Sequence, residues 1–250
     1  MPRQYTYSTR ALPSPRTAAS QPADVDSLTR RYAALRLEAL LTSPKAFASS
    51  YAIESAFTLA EWGAKIWRDD AVVLVCIADH TNPAQVDRPN ARTAPTPGLG
   101  GEWVGSAILR GPLPVSEYAL PHESGTPPCG SDADETRWQM TAVFASVAHR
   151  GRGLGKMLIQ AGKDYARAQT PGGLRRVRLR VMIHPENLAV LGLYSAMNFI
   201  DVGRATGQEA YRTNGDFADW NLKLKSLTDD MKVEWQTARV AAVMECVEEV

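Results

Sequence analysis

The sequence predicts a mixed α/β domain built on one sheet. A strand, a glycine-rich turn, a helix, a second strand and a second helix follow one another over residues 139–197, and strand-like and helical segments alternate on both sides of this run. The composition agrees: 250 residues, 44% hydrophobic and 22% charged, are enough to bury a substantial core. With 28 Lys+Arg against 27 Asp+Glu the net charge is +1, which excludes a uniformly basic coat for nucleic acid and an acidic disordered tail.

Taken in order, Tyr5-Thr6-Tyr7-Ser8-Thr9 reads as a strand of aromatic and β-branched residues. Arg3, Arg10 and Arg16, with no acid before Asp24, share a charge pattern with organelle presequences, but no apolar stretch for secretion follows. Asp26 or Ser27 caps a helix through Leu28, Tyr32, Leu35, Leu37, Leu40 and Leu41, and Ser43-Pro44 ends it. A second helical region covers residues 49–67, split near Thr58-Leu59. The run 71–78 is a buried strand, with residues 102–110 as its hairpin partner. Residues 81–101 and 112–136, rich in proline and poor in apolar side chains, read as surface insertions.

The central unit follows. Its strands cover residues 139–146 and 174–183, its turn 150–155, and its helices 154–169 and 186–197. Val177, Leu179, Val181 and Ile183 alternate with Arg176, Arg178 and Arg180, as a strand with two distinct faces requires. Residues 199–205 and 218–227 make two more strands, and 228–250 an amphipathic terminal helix after a single domain spanning 1–227.

The longest apolar run, 71–78, is far too short for a membrane span. Three widely spaced cysteines, Cys76, Cys129 and Cys246, support neither a disulfide framework nor a zinc site, so a reducing, cytoplasmic setting and no metal are expected.

Chemistry concentrates in the turn. Arg150-Gly151-Arg152-Gly153-Leu154-Gly155-Lys156 sits between a strand and a helix, where backbone N–H groups and the positive end of the helix dipole face an incoming anion. It is not a dinucleotide fingerprint, which would need glycine at Lys156, nor a P-loop, which would need Ser or Thr at Met157. Residues 150–180 carry nine Lys+Arg against Asp164 alone, a local +8 that suits either a polyphosphate or a solvated basic face. About thirty residues on, Asn187 stands near a helix start, with Leu193-Tyr194 two turns later and Asn198-Phe199 at its end; Asn198 suits a left-handed helix stop.

Arg150-x-x-Gly153-x-Gly155 after the strand Met140-Thr141-Ala142-Val143-Phe144-Ala145, together with Asn187, Val190, Leu193, Tyr194, Asn198 and Phe199, resembles the paired motifs of the GNAT N-acetyltransferase superfamily. Val190 and Asn198 depart from that family's Ala and Gly without removing a chemical group. Residues 32–41 and 44–51 also look like the family's first helices.

The resemblance implies a single mixed, mostly antiparallel sheet with helices on both faces, and transfer of acetyl from acetyl-coenzyme A to a primary amine within a ternary complex. It implies that Val143, Phe144 and Ala145 hold the pantetheine arm, and that Arg150, Gly151, Arg152, Gly153, Leu154, Gly155 and Lys156 hold the diphosphate. Asn187 would also bond the cosubstrate, and Tyr194 would give the leaving thiolate its proton, since a phenol stays protonated at neutral pH.

No carboxylate on the strand before the turn offers itself as the base, which keeps open a coenzyme A-binding protein with another acyl donor or without transfer. His149 and His184 flank the motifs as charge partners or surface residues rather than catalysts, and Cys76 lies in an apolar strand where a thiol is inert. A nucleic-acid module using Arg176, Arg178 and Arg180 lacks interleaved aromatics for base stacking. The expected partner is a small-molecule or peptide amine, with no nucleic acid and no membrane, acting on a monomer or homodimer. For the amine, residues 47–67 and 206–219 are the candidate walls, with the 112–136 insertion as a lid, and the aromatic and acidic Tyr51, Glu54, Phe57, Glu61, Trp62, Glu209, Tyr211 and Asp216 suit a cation.

Overall fold

The computed structural model describes residues 5–80 and 96–250. Its strands are β1 (Tyr5–Ala11), β2 (Ala71–His80), β3 (Glu102–Arg110), β4 (Glu135–Ala145), β5 (Arg176–Ile183), β6 (Ile200–Ala205) and β7 (Ala241–Glu249). Helices α1 (Val25–Thr42), α2 (Tyr51–Glu54), α3 (Leu59–Ile66) and α4 (Val115–Tyr118) precede β4; α5 (Leu154–Ala168) and α6 (Leu188–Ser195) flank β5; α7 (Gly207–Asn214), α8 (Phe217–Lys225) and α9 (Asp229–Thr237) precede β7. The strands form one seven-stranded sheet in the order β1-β2-β3-β4-β5-β7-β6, antiparallel throughout except for the parallel pair β4 and β5. This is the mixed α/β domain on one sheet that the sequence predicts, with the mostly antiparallel pairing that the resemblance implies.

Both faces of the sheet are covered, which explains why β2 reads as a continuous apolar run and not as an alternating one. Val72, Leu74, Cys76 and Ala78 join the core under α5 with Leu154, Leu158 and Ile159. Val73, Val75 and Ile77 join a second core under α1 and α3 with Leu28, Tyr32, Leu35 and Trp62. Burial pushes the Cys76 thiol up to about 11, so it stays protonated and inert.

Several elements differ from the sequence reading. The tail is not one helix: after α9 it forms β7, which inserts between β5 and β6 in register Leu179↔Cys246 and Ile200↔Glu245. Residues 241–249 contain helix formers, yet pairing on both edges decides the outcome, since five consecutive residues from Ala242 to Cys246 are buried. Residues 218–227 alternate apolar and charged side chains like a strand but lie largely in α8, where only Trp220 is buried. Helix α1 starts at Val25 with no side-chain cap; Asp24 instead accepts from the backbone N–H and hydroxyl of Thr96.

The 112–136 segment runs along the surface with most of its residues exposed, but it is anchored at several points, and β4 already begins at Glu135. Leu113, Tyr118 and Ser124 are buried, and the segment closes over arginines projecting from the sheet. Arg180 lies 3.8 Å over the Tyr118 ring and donates to the Tyr118 carbonyl at 2.7 Å; the Tyr118 hydroxyl donates to Glu245 at 2.8 Å. Glu135, with its side chain fully buried, accepts from Arg178 Nε at 2.9 Å, and Glu245 accepts from Arg178 Nη1 at 2.7 Å. Arg178 is therefore held in an internal ion-pair layer and Arg180 is buried beneath Tyr118, while Arg176 stays partly exposed, so the row does not form a continuous solvent-facing nucleic-acid surface. Polar contacts substitute here for the apolar burial whose absence made the segment look like a loop. Of the 81–101 insertion, residues 81–95 lie outside the described residues; Leu99 is buried, and its carbonyl accepts from Trp103 Nε1 at 3.2 Å.

Candidate active site

The site begins where two strands part. β4 and β5 pair in register from Glu135↔Arg176 to Gln139↔Arg180 and no further; beyond that point β4 follows β3 and β5 follows β7. On β4, Ala142 and Val143 together stand opposite Ala107, because the register passes from Thr141↔Ile108 to Phe144↔Ser106. This is a β-bulge, and Ala142 takes a left-handed φ of 54° to form it. The extra residue swaps the faces of the strand. Met140 belongs to the core under α5, whereas Phe144, two repeats along, belongs to the core under α1. Val143 is thereby turned toward the gap between the strands, where it lines the cleft.

After a short turn of helix at residues 147–149 the chain enters the glycine turn. Gly151 and Gly153 have φ of 74° and 81°, which an L side chain rarely adopts, while no atom crowds the place of a Cβ; backbone conformation alone selects glycine at both. Gly155 differs, because a Cβ there would lie 2.8 Å from Leu193 Cδ2 on α6. Gly153 caps the 15-residue α5 without a side-chain hydrogen bond, and no acid occupies the first turn. The leading N–H groups of α5 therefore keep no carboxylate of their own.

These parts enclose a cleft of about 1290 Å³. Of the residues singled out in the sequence, Val143, Phe144, Ala145, Arg150, Gly151, Gly153, Leu154, Gly155, Lys156, Asn187 and Tyr194 all line it. Arg152 does not: its Nη1 donates to the Tyr7 hydroxyl at 2.5 Å and its guanidinium lies over the Tyr5 and Tyr7 rings of β1. His184 lines the cleft, whereas His149 is buried with its Nδ1 3.0 Å from the Tyr7 hydroxyl.

Tyr194 sits on α6 with its ring edge-on to Phe199, 5.0 Å between centroids, and burial pushes its hydroxyl well above the ordinary tyrosine value. Asn198 adopts φ 65° at the helix stop and lets the Phe199 N–H return to the Tyr194 carbonyl at 3.0 Å, which fixes the ring pair.

Behind Tyr194 lies a second cavity of about 170 Å³, sharing Ala46, Phe47, Val143, Asn187, Val190 and Tyr194 with the cleft. Its floor is the pair of diverging strand segments, and its far wall comes from α1, α2, α3, α7 and α8. Arg36 meets Glu54 with two bonds, Nε to Oε2 at 3.0 Å and Nη2 to Oε1 at 2.7 Å. Burial opposes ionisation of Glu54, but the bonds and charge of Arg36 outweigh it and hold the carboxyl below its usual value. Lys65 pairs with Asp219 at 2.6 Å, and Arg68 bonds Asp70 at 2.8 Å while standing 3.6 Å from Asp216.

Glu54, Tyr211 and Asp216, named from the sequence, reach this wall; Glu61 and Glu209 instead complete capping boxes of α3 and α7. Sequence reasoning missed Arg36, Lys65, Arg68, Asn214 and Asp219. One signal existed: Arg36 follows Tyr32 by four residues, placing a charge within the apolar stripe of α1. Among the described residues no cluster of His, Cys, Asp and Glu is placed to hold a metal ion, and no helix is long and apolar enough to cross a membrane.

No curated protein matches the chain. Among solved structures, Arabidopsis thaliana NAA60 in complex with a bisubstrate analogue aligns at 15% identity over 98% of this chain and 99% of that one, with a TM-score of 0.48. Aminoglycoside N-acetyltransferase AAC(6')-Iy in complex with CoA aligns at 16% identity over 82% and 95%, with a TM-score of 0.49. A GNAT-family acetyltransferase from Streptococcus pneumoniae aligns at 14% identity over 97% and 99%, also at 0.49. The Acetyltransferase (GNAT) family model matches residues 79–199, a segment that holds the parting strands, the glycine turn, α5 and α6.

Proposed function

We propose that the protein transfers the acetyl group of acetyl-coenzyme A to a primary amine by direct attack in a ternary complex. The observation that carries this reading is the position of Tyr194, which borders both the large cleft beside the glycine turn and the small cavity beyond it. A thioester entering from one side and an amine from the other would meet at this residue.

Each part has a role that its chemistry suits. Backbone N–H groups from Arg150 to Lys156, with the Lys156 ammonium, take the diphosphate; the uncapped start of α5 adds its dipole. The exposed edge of β4 at Val143, Phe144 and Ala145 takes the amides of the pantetheine arm, and Asn187 at the start of α6 adds a polar contact. The thioester supplies an activated acyl carbon. Tyr194 keeps its proton because burial disfavours the phenolate, and gives it to the thiolate as the carbon–sulfur bond breaks.

Titration calorimetry with coenzyme A and thiol release with a panel of amines test the reading. Binding of coenzyme A and amine-dependent thiol release are expected, with kcat falling roughly 10²-fold in Tyr194→Phe at unchanged coenzyme A affinity. Equal rates in the two proteins remove Tyr194 from the mechanism, and no heat with coenzyme A removes the cosubstrate.

A further inference from the structure

The second cavity is lined by three cationic side chains, Arg36, Lys65 and Arg68, and by three carboxylates, Glu54, Asp216 and Asp219. Their formal charges cancel. A polyamine or amino sugar would leave most of its positive charge unmatched there, and an apolar amine would strand the polar atoms of the wall.

Those polar atoms are specific. Arg36 spends Nε and Nη2 on Glu54 and keeps Nη1 buried without a partner among the described residues. The hydroxyl of Tyr211, a residue only 4% exposed, and Oδ1 of Asn214 are likewise buried and unpartnered. Arg36 and Tyr211 have hydrogens to give, and Asn214 has a lone pair. Asp216 adds a carboxylate whose contact with Arg68, at 3.6 Å, is too long for a hydrogen bond. Burial lifts the Asp216 carboxyl above its ordinary value; Asp219 adds to this, and Lys65, Arg68 and Arg36 work against it.

We propose that this cavity binds the acetyl acceptor as a small zwitterionic amine of the α-amino acid class, its carboxylate on Arg36 Nη1 and the Tyr211 hydroxyl and its ammonium on Asp216 and Asn214 Oδ1. The assignment rests on the acetyl-transfer reading and adds the substrate class. A volume of about 170 Å³ suits a ligand of that size. In the transfer, the ammonium gives up one proton to expose its lone pair, with Asp216 as the acceptor. Nitrogen then bonds the acetyl carbon, the carbon–sulfur bond breaks, a second proton leaves nitrogen as the amide forms, and the thiolate takes one up. One proton is released overall.

The test compares free amino acids with their α-carboxamides, and both with spermidine, in thiol-release assays on the whole protein. The carboxylate form is expected to exceed the carboxamide by at least about tenfold in kcat/KM, as loss of a charge-assisted hydrogen bond dictates. In Arg36→Gln/Glu54→Gln, which keeps the shape of the pair and removes the cation, that ratio is expected to fall toward unity, and Tyr211→Phe is expected to reduce it in part. Carboxamides or spermidine used as well as or better than amino acids overturn the assignment. Should the double variant not fold, the comparison of acceptors on the wild type still decides. Coenzyme A binding is measured alongside without any amine: binding with no carboxylate preference sinks this assignment alone, and absence of binding sinks the acetyl-transfer reading beneath it.

Discussion

Arg180 donates its Nε to the side-chain oxygen of Gln139 at 2.8 Å, and these two residues are also the last pair in register between β4 and β5. The fork that opens the site thus has a polar rivet at its base. Among the described residues no carboxylate forms an ion pair with Arg180; the Tyr118 carbonyl and ring and the Gln139 amide surround it instead, and burial lowers its basicity. Gln139→Leu would leave a buried guanidinium N–H without an acceptor, so a loss of about 2–3 kcal/mol in urea denaturation is expected. An unchanged midpoint would show that the fork needs no such fastening.

Gly153→Ala tests the glycine turn. Nothing crowds a methyl group there, so the cost comes from the left-handed backbone alone, about 1–2 kcal/mol. The turn is expected to relax and coenzyme A affinity to fall, read by calorimetry. Gly155→Ala meets Leu193 instead, so Leu193→Ala is expected to rescue it and not Gly153→Ala.

The Asp216 carboxyl, raised above its ordinary value, gives the acetylation rate a direction in pH. Only the ionised form holds an ammonium, so kcat/KM should climb as pH rises through a value above the ordinary aspartate range. Asp216→Asn is expected to abolish that limb and to raise KM for the amine while leaving coenzyme A affinity intact. A limb of the same position in the variant would assign it to another group.

Asp70 governs acid stability. Burial opposes its ionisation, but bonds from Arg68 and Arg110 prevail and hold the carboxyl at about 2 against an ordinary 3.8. Because the folded value lies below the unfolded one, the stabilisation is complete above the unfolded value and disappears as pH falls toward the folded one. Asp70 is one-third exposed and its pairs are screened, so Asp70→Asn should cost about 1 kcal/mol at neutral pH. Wild type and variant should converge in denaturation midpoint as pH approaches 2.

The glycine-turn side of the site was legible because it depends on local chemistry. A left-handed turn needs Gly151 and Gly153, a helix stop needs Asn198, and both are visible within a few residues of chain. The small cavity was not, since Arg36, Lys65, Asn214 and Asp219 meet only after α1, α3, α7 and α8 converge, and nothing in their own neighbourhoods announces it. β7 failed for a related reason. Glu245 reads as a solvent-facing helix residue until Tyr118 and Arg178, each more than sixty positions away, are seen to bond it.

The insertion of β7 beside β6 has a further consequence. Tyr211, Asn214, Asp216 and Asp219 all belong to the excursion between these two neighbouring antiparallel strands, whereas the glycine turn and β4 lie in a different stretch of chain. Swapping the α7–α8–α9 loop for another of similar span would leave the glycine turn and β4 untouched. One wall of the small cavity can thus be rewritten while the turn that lines the large cleft keeps its shape.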